Sequence, residues 1–143
     1  MREHGLRFKN LSYAAGAVEV VAGKQRFDIV MALEVAEHVN DPAAFVKSCG
    51  ACVKKGGLLI LSTLNRTPHS FATAIVGAEY ILRIIPRGTH DWRKFIKPSE
   101  LSSMVSAAGL ATVDITGLAL NPFTQGFSLD AGNVSVDYFL TAS

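Results

Sequence analysis

Two glutamates and a histidine form the first group in the sequence whose types and spacing could do chemistry. Glu34, Glu37 and His38 are spaced i, i+3 and i+4, which places three side chains on one face of a helical turn. Two carboxylates and an imidazole can hold a divalent cation, and a carboxylate-rich set favours a hard ion such as Mg²⁺. Near the carboxyl edge of a sheet the cation could clamp two adjacent phenolic oxygens and acidify one. The alternative is a helix start with acidic residues facing the dipole and a histidine that packs.

A polar segment from Ser62 to Arg66 is the second candidate. It follows a short apolar run that predicts a buried strand. In open α/β sheets, ligands lie beyond the carboxyl ends of the strands, so the segment is placed to line the substrate side of a site. The alternative is an ordinary surface turn.

Cys49 and Cys52 have CxxC spacing, but their position predicts packing rather than redox or zinc chemistry. They fall in the last turns of a predicted helix, where the helix dipole disfavours a thiolate. A zinc site would need four ligands, and the sequence contains no second CxxC.

Apolar runs and turn residues predict the elements that position these groups. Strands are predicted at 6–10, 27–32, 58–61, 112–115 and 134–140, and helices at 14–21, 41–57 and 98–109. The run at 27–32 has the pattern of a strand buried on both faces of a parallel sheet. The order of elements predicts an α/β sheet with right-handed crossovers and an antiparallel end. The loops after Ala32 and Ser62 then share the carboxyl edge of this sheet.

Composition limits the classes of protein that fit. The 143 residues suit a single domain, and 49% of them are apolar, enough to build a core. The net charge is only +2, from scattered basic residues, which argues against nucleic-acid binding. No secretion signal is recognisable, and two cysteines do not make a disulfide framework, so a reducing compartment is expected.

The tract from Ser70 to Ile85 is the one membrane candidate in the sequence. It is about 16 residues long, short of the roughly 20 that a spanning helix needs, and Glu79 and Arg83 interrupt it. The tract is therefore predicted not to span. It fits either a core helix or a lid whose apolar face meets a lipid-like substrate or a bilayer surface. The cations and Trp92 that follow, at 86–94, suit a headgroup interface or an ordinary loop.

Several stretches carry a family resemblance. The sequence has FDIV at 27–30, EVAEHV at 34–39 and DP at 41–42, which resemble the middle of class I SAM-dependent methyltransferases. Further stretches resemble the ubiquinone-biosynthesis O-methyltransferases more narrowly, at 61–67, 76–83, 86–91, 94–98, 116–117, 121–122 and 136–138. The similarity covers nearly the whole chain from Phe27. It implies a Rossmann-like class I fold and SAM-dependent O-methylation of a polyprenylated catechol or phenol in ubiquinone biosynthesis.

The resemblance also implies roles for particular residues. Glu34, Glu37 and His38 would be the family's Mg²⁺ ligands, and Leu33 would contribute a backbone or packing contact to SAM; no catalytic residue is assigned. Residues at about 67–97 would form an insertion associated with lipid substrate and membrane contact. SAM and Mg²⁺ are the implied cofactors, and a polyprenylated phenol or quinol the implied substrate. Other ubiquinone-biosynthesis proteins are implied as partners. The implied location is the bacterial cytoplasm, peripheral at the inner membrane, or the matrix side of the mitochondrial inner membrane in a eukaryote.

The sequence departs from the family in one large respect. Class I enzymes hold SAM mainly with a glycine-rich loop after the first strand and an acidic residue after the second, and no GxGxG occurs here. We therefore expect residues 1–143 to form a partial, truncated domain, the C-terminal half of the fold without its first strands. Two alternatives remain open at this point. One is a non-catalytic fragment that binds quinone-pathway partners or lipid; the other is a methyltransferase for a soluble phenol.

Overall fold

A computed structural model describes residues 10–81, 86, 88–121 and 126–143. Its five strands form one sheet in the order β1-β2-β5-β3-β4. The strands are β1 (Phe27–Leu33), β2 (Val53–Leu64), β3 (Thr112–Leu120), β4 (Phe127–Asp130) and β5 (Asp137–Ala142). The helices are α1 (Pro42–Ala51), α2 (Pro68–Ser70), which continues into a π-helical segment (Phe71–Ile81), and α3 (Pro98–Ala107). Single 3₁₀ turns cover Val18–Val20 and Trp92–Lys94.

The sheet is mixed. β1 and β2 are parallel, β5 runs antiparallel to both β2 and β3, and β3 pairs antiparallel with β4. The predicted α/β arrangement with an antiparallel end is therefore confirmed. Asp41 caps α1 as expected, because its carboxylate accepts a hydrogen bond of 3.0 Å from the backbone N–H of Ala44.

The core lies between one face of the sheet and the helices α1 and α3. Its members include Val46 and Cys49 of α1, Leu101 and Val105 of α3, and Leu59, Leu61, Leu140 and Ala142 of the sheet.

Cys49 and Cys52 are both buried and free, so the prediction of packing cysteines is confirmed. Burial, with smaller contributions from the nearby Cys52 and Glu19, raises the pKa of the Cys49 thiol to about 11. The thiol is therefore neutral at physiological pH.

The prediction that the first apolar strand is buried on both faces is wrong. β1 lies at the edge of the sheet, with β2 as its neighbour among the described strands. Alternate residues of a strand share a face, and Ile29, Met31 and Leu33 are 56%, 57% and 43% exposed. Only the other face of β1 is covered, since Val30 and Ala32 pack against the core.

Several predicted boundaries also change. α1 ends at Ala51 rather than at residue 57, because the carbonyl of Cys52 already accepts a hydrogen bond from the N–H of Phe27 in β1. Val53, predicted on the helix, begins β2. The helix predicted at 14–21 is a single 3₁₀ turn. In the strand predicted at 6–10, residues 6–9 lie outside the described residues, and residue 10 is in a turn.

The apolar tract after residue 70 does not form a core helix in its described part. Phe71 is 46% exposed and Val76 is 39% exposed. Among the described residues, no helix combines the length and apolar character that crossing a membrane requires.

Gly117 is expected to be indispensable for the packing of the β3–β5 end of the sheet. A Cβ atom at this position would collide with the carbonyl oxygen of Asn133 and lie 2.9 Å from that of Asp130. We expect Gly117→Ala to lower the free energy of unfolding by about 1–3 kcal/mol, the usual cost of overpacking. Urea denaturation measures this. The matched control is Gly132→Ala, whose Cβ would meet only the Asp130 carboxylate at 3.5 Å, and an equal loss in both variants would contradict the explanation.

The exposed face of β1 predicts self-association. An apolar edge strand offers unpaired backbone groups beside apolar side chains, an arrangement that favours pairing between chains. We expect the chain to be oligomeric or aggregation-prone in size-exclusion chromatography, and Ile29→Lys to shift it towards monomer. Tyr13→Lys is the control, because Tyr13 is 89% exposed but lies outside the sheet. A chain that elutes as a monomer at all concentrations would overturn this prediction.

Candidate functional site

The carboxyl ends of β1 and β2 bring together the two segments that the sequence singled out. Leu33 and Ser62 are register partners, and the N–H of Glu34 donates to the backbone oxygen of Ser62 at 3.1 Å. The Ser62 hydroxyl donates to Oε1 of Glu34 at 2.7 Å. The Thr63 hydroxyl donates to Oε2 of Glu37 at 2.8 Å. The prediction that the loops after these strands share one edge is confirmed.

The predicted helical face for the two glutamates and His38 does not form. Glu34 has a left-handed backbone with φ 53°, and only a tight turn follows, closed by the bond from His38 N–H to Val35 O at 2.9 Å. Ser62 and Thr63 are consecutive strand residues, so their side chains point to opposite faces of the sheet. The two glutamates that they hold are therefore separated across the sheet edge rather than stacked on a helix.

This separation bears on the predicted metal site. Among the described residues, no group of three or more His, Cys, Asp or Glu is placed to hold a metal ion as it stands. Oε1 of Glu37 and Nε2 of His38 lie 3.7 Å apart. Their donor atoms suit a divalent cation, whereas Glu34 would have to move towards them.

Asp137, at the start of β5, has its carboxyl group near that of Glu34. Much of the Glu34 side chain is exposed, but its carboxyl group faces protein on the side of Ser62. That burial raises the pKa of Glu34, with a smaller upward contribution from the negative charge of Asp137. Burial also raises the pKa of Asp137, with Glu37 adding to it. The edge thus concentrates carboxyl groups that a cation would stabilise in their charged forms.

Glu37 is the most enclosed of the predicted site residues. It is 2% exposed, and its Oε1 atom is buried without a hydrogen-bond donor. Buried acceptors are nearly always paired, so an unpaired one marks a place where a ligand, an ion or a water belongs. His38 is different, since about half of its side chain is exposed.

Two cavities meet at Glu37. The larger, about 360 Å³, lies between the start of α1, the segment 93–96 and α3. Its apolar wall consists of Val39, Pro42, Phe95, Ile96 and Met104, and its polar lining of Glu37, Asn40, Arg66, Arg93, Lys94 and Glu100. The smaller, about 160 Å³, is lined by Glu37, His38, Gly88, Thr89, His90, Asp91, Lys94 and Phe95. Glu37 therefore faces both an apolar and a polar pocket.

Two hydrogen bonds and an ion pair hold the segment after β2 against the rest of the fold. Asn65 donates from Nδ2 to the carbonyl of Val134 at 2.7 Å, and Thr67 donates from Oγ1 to that of Ser135 at 2.6 Å. Arg66 forms an ion pair with Glu100 on α3. The alternative of an ordinary surface turn is thus wrong for Ser62 and Thr63, which are buried, while Arg66 reaches the larger cavity.

Asp137 and Glu100 were not among the predicted site residues. Asp137 acts on Glu34 from far along the chain, and Glu100 meets Arg66 across 34 positions. Local spacing cannot signal such contacts, because they exist only once β5 and α3 are in place. The hint that the sequence offered for Asp137 was an acidic residue inside the strand predicted at 134–140.

Comparison with known proteins relates the chain to methyltransferases. A family described as a methyltransferase domain matches residues 3–115. The chain is 50% identical to the ubiquinone biosynthesis O-methyltransferase of Dinoroseobacter shibae, over 89% of this chain and 51% of that protein. It is 48% identical to the protein of the same name from Bordetella pertussis, over 98% of this chain and 59% of that protein. The chain thus spans between half and three-fifths of the length of these relatives.

Solved structures show the same fold at low sequence identity. A SAM-dependent methyltransferase from Thermotoga maritima, described as a possible histamine N-methyltransferase, superposes with a TM-score of 0.61 and 16% identity. The match covers 82% of this chain and 56% of that one. An O-methyltransferase family protein from Burkholderia thailandensis gives a TM-score of 0.57 at 12% identity, over 92% and 35% of the two chains. The predicted class I fold, partial relative to these chains, is confirmed.

We expect the hydrogen bond from Thr63 to Glu37 to contribute more to the free energy of unfolding than an exposed hydrogen bond does. Thr63→Val keeps the shape of the side chain but removes the donor, which leaves both oxygens of a buried carboxylate unpaired. We expect a loss of about 1–3 kcal/mol in the free energy of unfolding, measured by urea denaturation. In Thr116→Val, the lost bond to Asp114 is exposed, and a change within about 0.5 kcal/mol is expected. Equal effects in the two variants would show that the Thr63 bond adds nothing particular.

Proposed function

Because this chain belongs to the methyltransferase-domain family, we propose that it forms the acceptor side of an enzyme that transfers the methyl group of SAM to a phenolic oxygen. The observation that carries the proposal is the identity of about 50% to ubiquinone biosynthesis O-methyltransferases over 89–98% of the chain. The position of Glu37 supports it, since the buried carboxylate lies at the carboxyl edge of the sheet, where ligands of such folds bind.

The substrate in this proposal is a polyprenylated catechol or phenol of ubiquinone biosynthesis. Its long apolar chain would need an apolar surface outside the site. Phe71 and Val76 of the π-helical segment, which follows the Ser62–Arg66 segment in the chain, are exposed and would offer such a surface. Trp92 packs edge-on against Phe71, with 6.2 Å between ring centroids, and donates from Nε1 to Thr67 O at 2.9 Å. An exposed apolar segment backed by an indole suits peripheral contact with a bilayer surface.

A Mg²⁺ ion is the second part of the proposal, with Glu34, Glu37 and His38 as its ligands. The unpaired Oε1 of Glu37 and its distance of 3.7 Å from His38 support two of the three ligands. When bound, the ion would supply charge that stabilises a phenolate. The Ser62 hydroxyl donates to Oε1 of Glu34 at 2.7 Å, so Oε2 of Glu34 would be the atom that joins the ion.

The residues of the chain itself would position and desolvate the acceptor. Thr63 fixes the orientation of Glu37 through Oε2, so that Oε1 stays directed at the ligand pockets. Phe95 and Ile96, 1% and 4% exposed, keep water away from that side of Glu37. Methyl transfer needs the acceptor oxygen in line with the sulfonium carbon and no covalent enzyme intermediate, so alignment is the main contribution of such walls.

Methyl transfer itself is the test of this proposal. This chain would be joined to the preceding half of the Dinoroseobacter shibae relative and incubated with SAM carrying a labelled methyl group. We expect label in a polyprenylated catechol, and much less in an equal concentration of soluble catechol. Equal labelling of both would favour a soluble phenol as substrate. Absence of label in either, with SAM bound, would leave a non-catalytic binding role and contradict the proposal.

The metal site predicts a binding defect that does not depend on turnover. In the same joined protein, Glu37→Ala should weaken binding of Mn²⁺, used as a paramagnetic substitute for Mg²⁺, by about tenfold or more, because one charged ligand is lost. Electron paramagnetic resonance of free Mn²⁺ measures this. Glu19→Ala is the control, since Glu19 is exposed and lies in the 3₁₀ turn. Unchanged affinity in Glu37→Ala would show that the site is wrongly assigned.

A further inference from the structure

The smaller cavity beside Glu37 includes a second imidazole, that of His90. His90 lines this cavity of about 160 Å³ together with Glu37 and His38. The centroids of the two imidazole rings are 6.2 Å apart. His90 also packs edge-on against Phe95, with 6.0 Å between ring centroids. Since Phe95 is 1% exposed, one side of the His90 ring rests against the buried interior of the fold.

The carboxylate of Glu37 is the strongest indication of a ligand in this cavity. The side chain is 2% exposed, and Thr63 donates to its Oε2, which fixes the orientation of the carboxylate. Oε1 is buried and accepts no hydrogen bond. Glu37 and Asp91 bring two negative charges to the lining, and Lys94 brings one positive charge. The cavity therefore favours a cation over an anion.

The distances are close to those between ligands of a single ion. Two atoms bound to a tetrahedral ion at about 2.0–2.1 Å lie about 3.4 Å apart, and Glu37 Oε1 lies 3.7 Å from His38 Nε2. By the same geometry, two imidazole rings on one ion have centroids about 5 Å apart, so the two rings need to approach by about 1 Å. No three such side chains among the described residues hold an ion without movement. About half of the His38 side chain is exposed, which leaves that ring space to move.

We propose that Glu37, His38 and His90 form a site for a divalent transition-metal ion such as Zn²⁺. One carboxylate and two imidazoles are a set that suits zinc and iron, whereas Mg²⁺ prefers carboxylate, carbonyl and water oxygens. An imidazole has two nitrogens, so His90 can bind an ion through one while the other keeps a hydrogen bond. The location rests on the cavity and on the unpaired oxygen; that the ion acts in methyl transfer rests on the proposed function.

The histidines of the chain provide a direct probe. The sequence contains four: His38 and His90 line the cavity, His69 contacts Ser135 instead, and His4 is outside the described residues. In ¹⁵N-labelled histidine rings, Zn²⁺ should shift the His38 and His90 signals together and saturably, and leave His69 in place. An ion held by the Glu34, Glu37 and His38 set would shift His38 without His90. A background with Ile29→Lys and His4→Gln limits self-association and removes the fourth ring.

A matched pair of substitutions measures the contribution of His90. Glutamine is polar but a poor zinc ligand, so His90→Gln should weaken Zn²⁺ binding by about tenfold or more, at least the loss that changing an outer-shell partner causes. His69→Gln makes the same change away from the cavity and should leave the affinity unchanged. His90→Cys supplies another zinc ligand and should restore binding. Competition with a fluorescent zinc indicator measures the dissociation constants.

Each outcome decides the proposal. It would be overturned if Zn²⁺ shifted neither ring, shifted His38 without His90, or shifted His69 to the same extent, and equally if His90→Gln left the affinity unchanged. The His69 signal reports whether a variant is folded, and the His90 shift itself needs no variant of the cavity. Neither SAM nor a phenol is present in these measurements. Absence of methyl transfer in the joined protein would therefore refute the proposed function and leave this site intact, whereas methyl transfer without a Zn²⁺ response at His90 would refute this site alone.

Discussion

The alternation of side chains at the end of β2 is the constraint on which the site depends. Ser62 and Thr63 are neighbours in a strand and must point to opposite faces, so each hydroxyl holds a different glutamate of the loop after β1. Glu34 is fixed on the exposed side and Glu37 on the side of the helices. One strand end therefore sets both the separation of the carboxylates and the burial of the one that borders the cavities.

The second constraint is that the core forms on one face of the sheet. α1 and α3 contribute to a single cluster with β2 and β5, and the described part of the chain leaves the other face of β1 largely exposed. The relatives are about twice as long as the matched region. In the described residues, the edge at the carboxyl ends of β1 and β2 has β5 beside it, and the larger cavity at this edge is closed by the start of α1, residues 93–96 and α3. Class I folds hold SAM mainly from their first strands, and no GxGxG occurs in this sequence.

Much of the fold followed from the sequence, and the failures have physical causes. The runs that became β1, β2 and β3, the Asp41 cap of α1 and the packing cysteines were all predictable from local pattern. The burial of β1 was not, because an apolar run looks the same whether its second face is covered or not. The end of α1 was misplaced since the two glycines at 56 and 57 resemble a helix stop in the sequence, whereas pairing with Phe27 begins β2 at Val53.

The sequence predicted which residues meet at this edge of the sheet, but not the geometry in which they meet. Spacing identified Glu34, Glu37 and His38 and placed Ser62 at the same edge, while the helical face assumed for the three did not form. The left-handed backbone of Glu34 and the contact with Asp137 depend on strand register, which sequence spacing does not contain. The roles of Leu33 with SAM and of the three residues with a metal ion remain predictions.

We propose that this chain supplies the acceptor side of a methyltransferase site and that residues outside it hold most of SAM. Isothermal titration of SAM into the chain tests this most directly, with the joined protein as the positive control. We expect no measurable binding of SAM to the chain alone and clear binding to the joined protein. A dissociation constant in the micromolar range or below for the chain alone would contradict it.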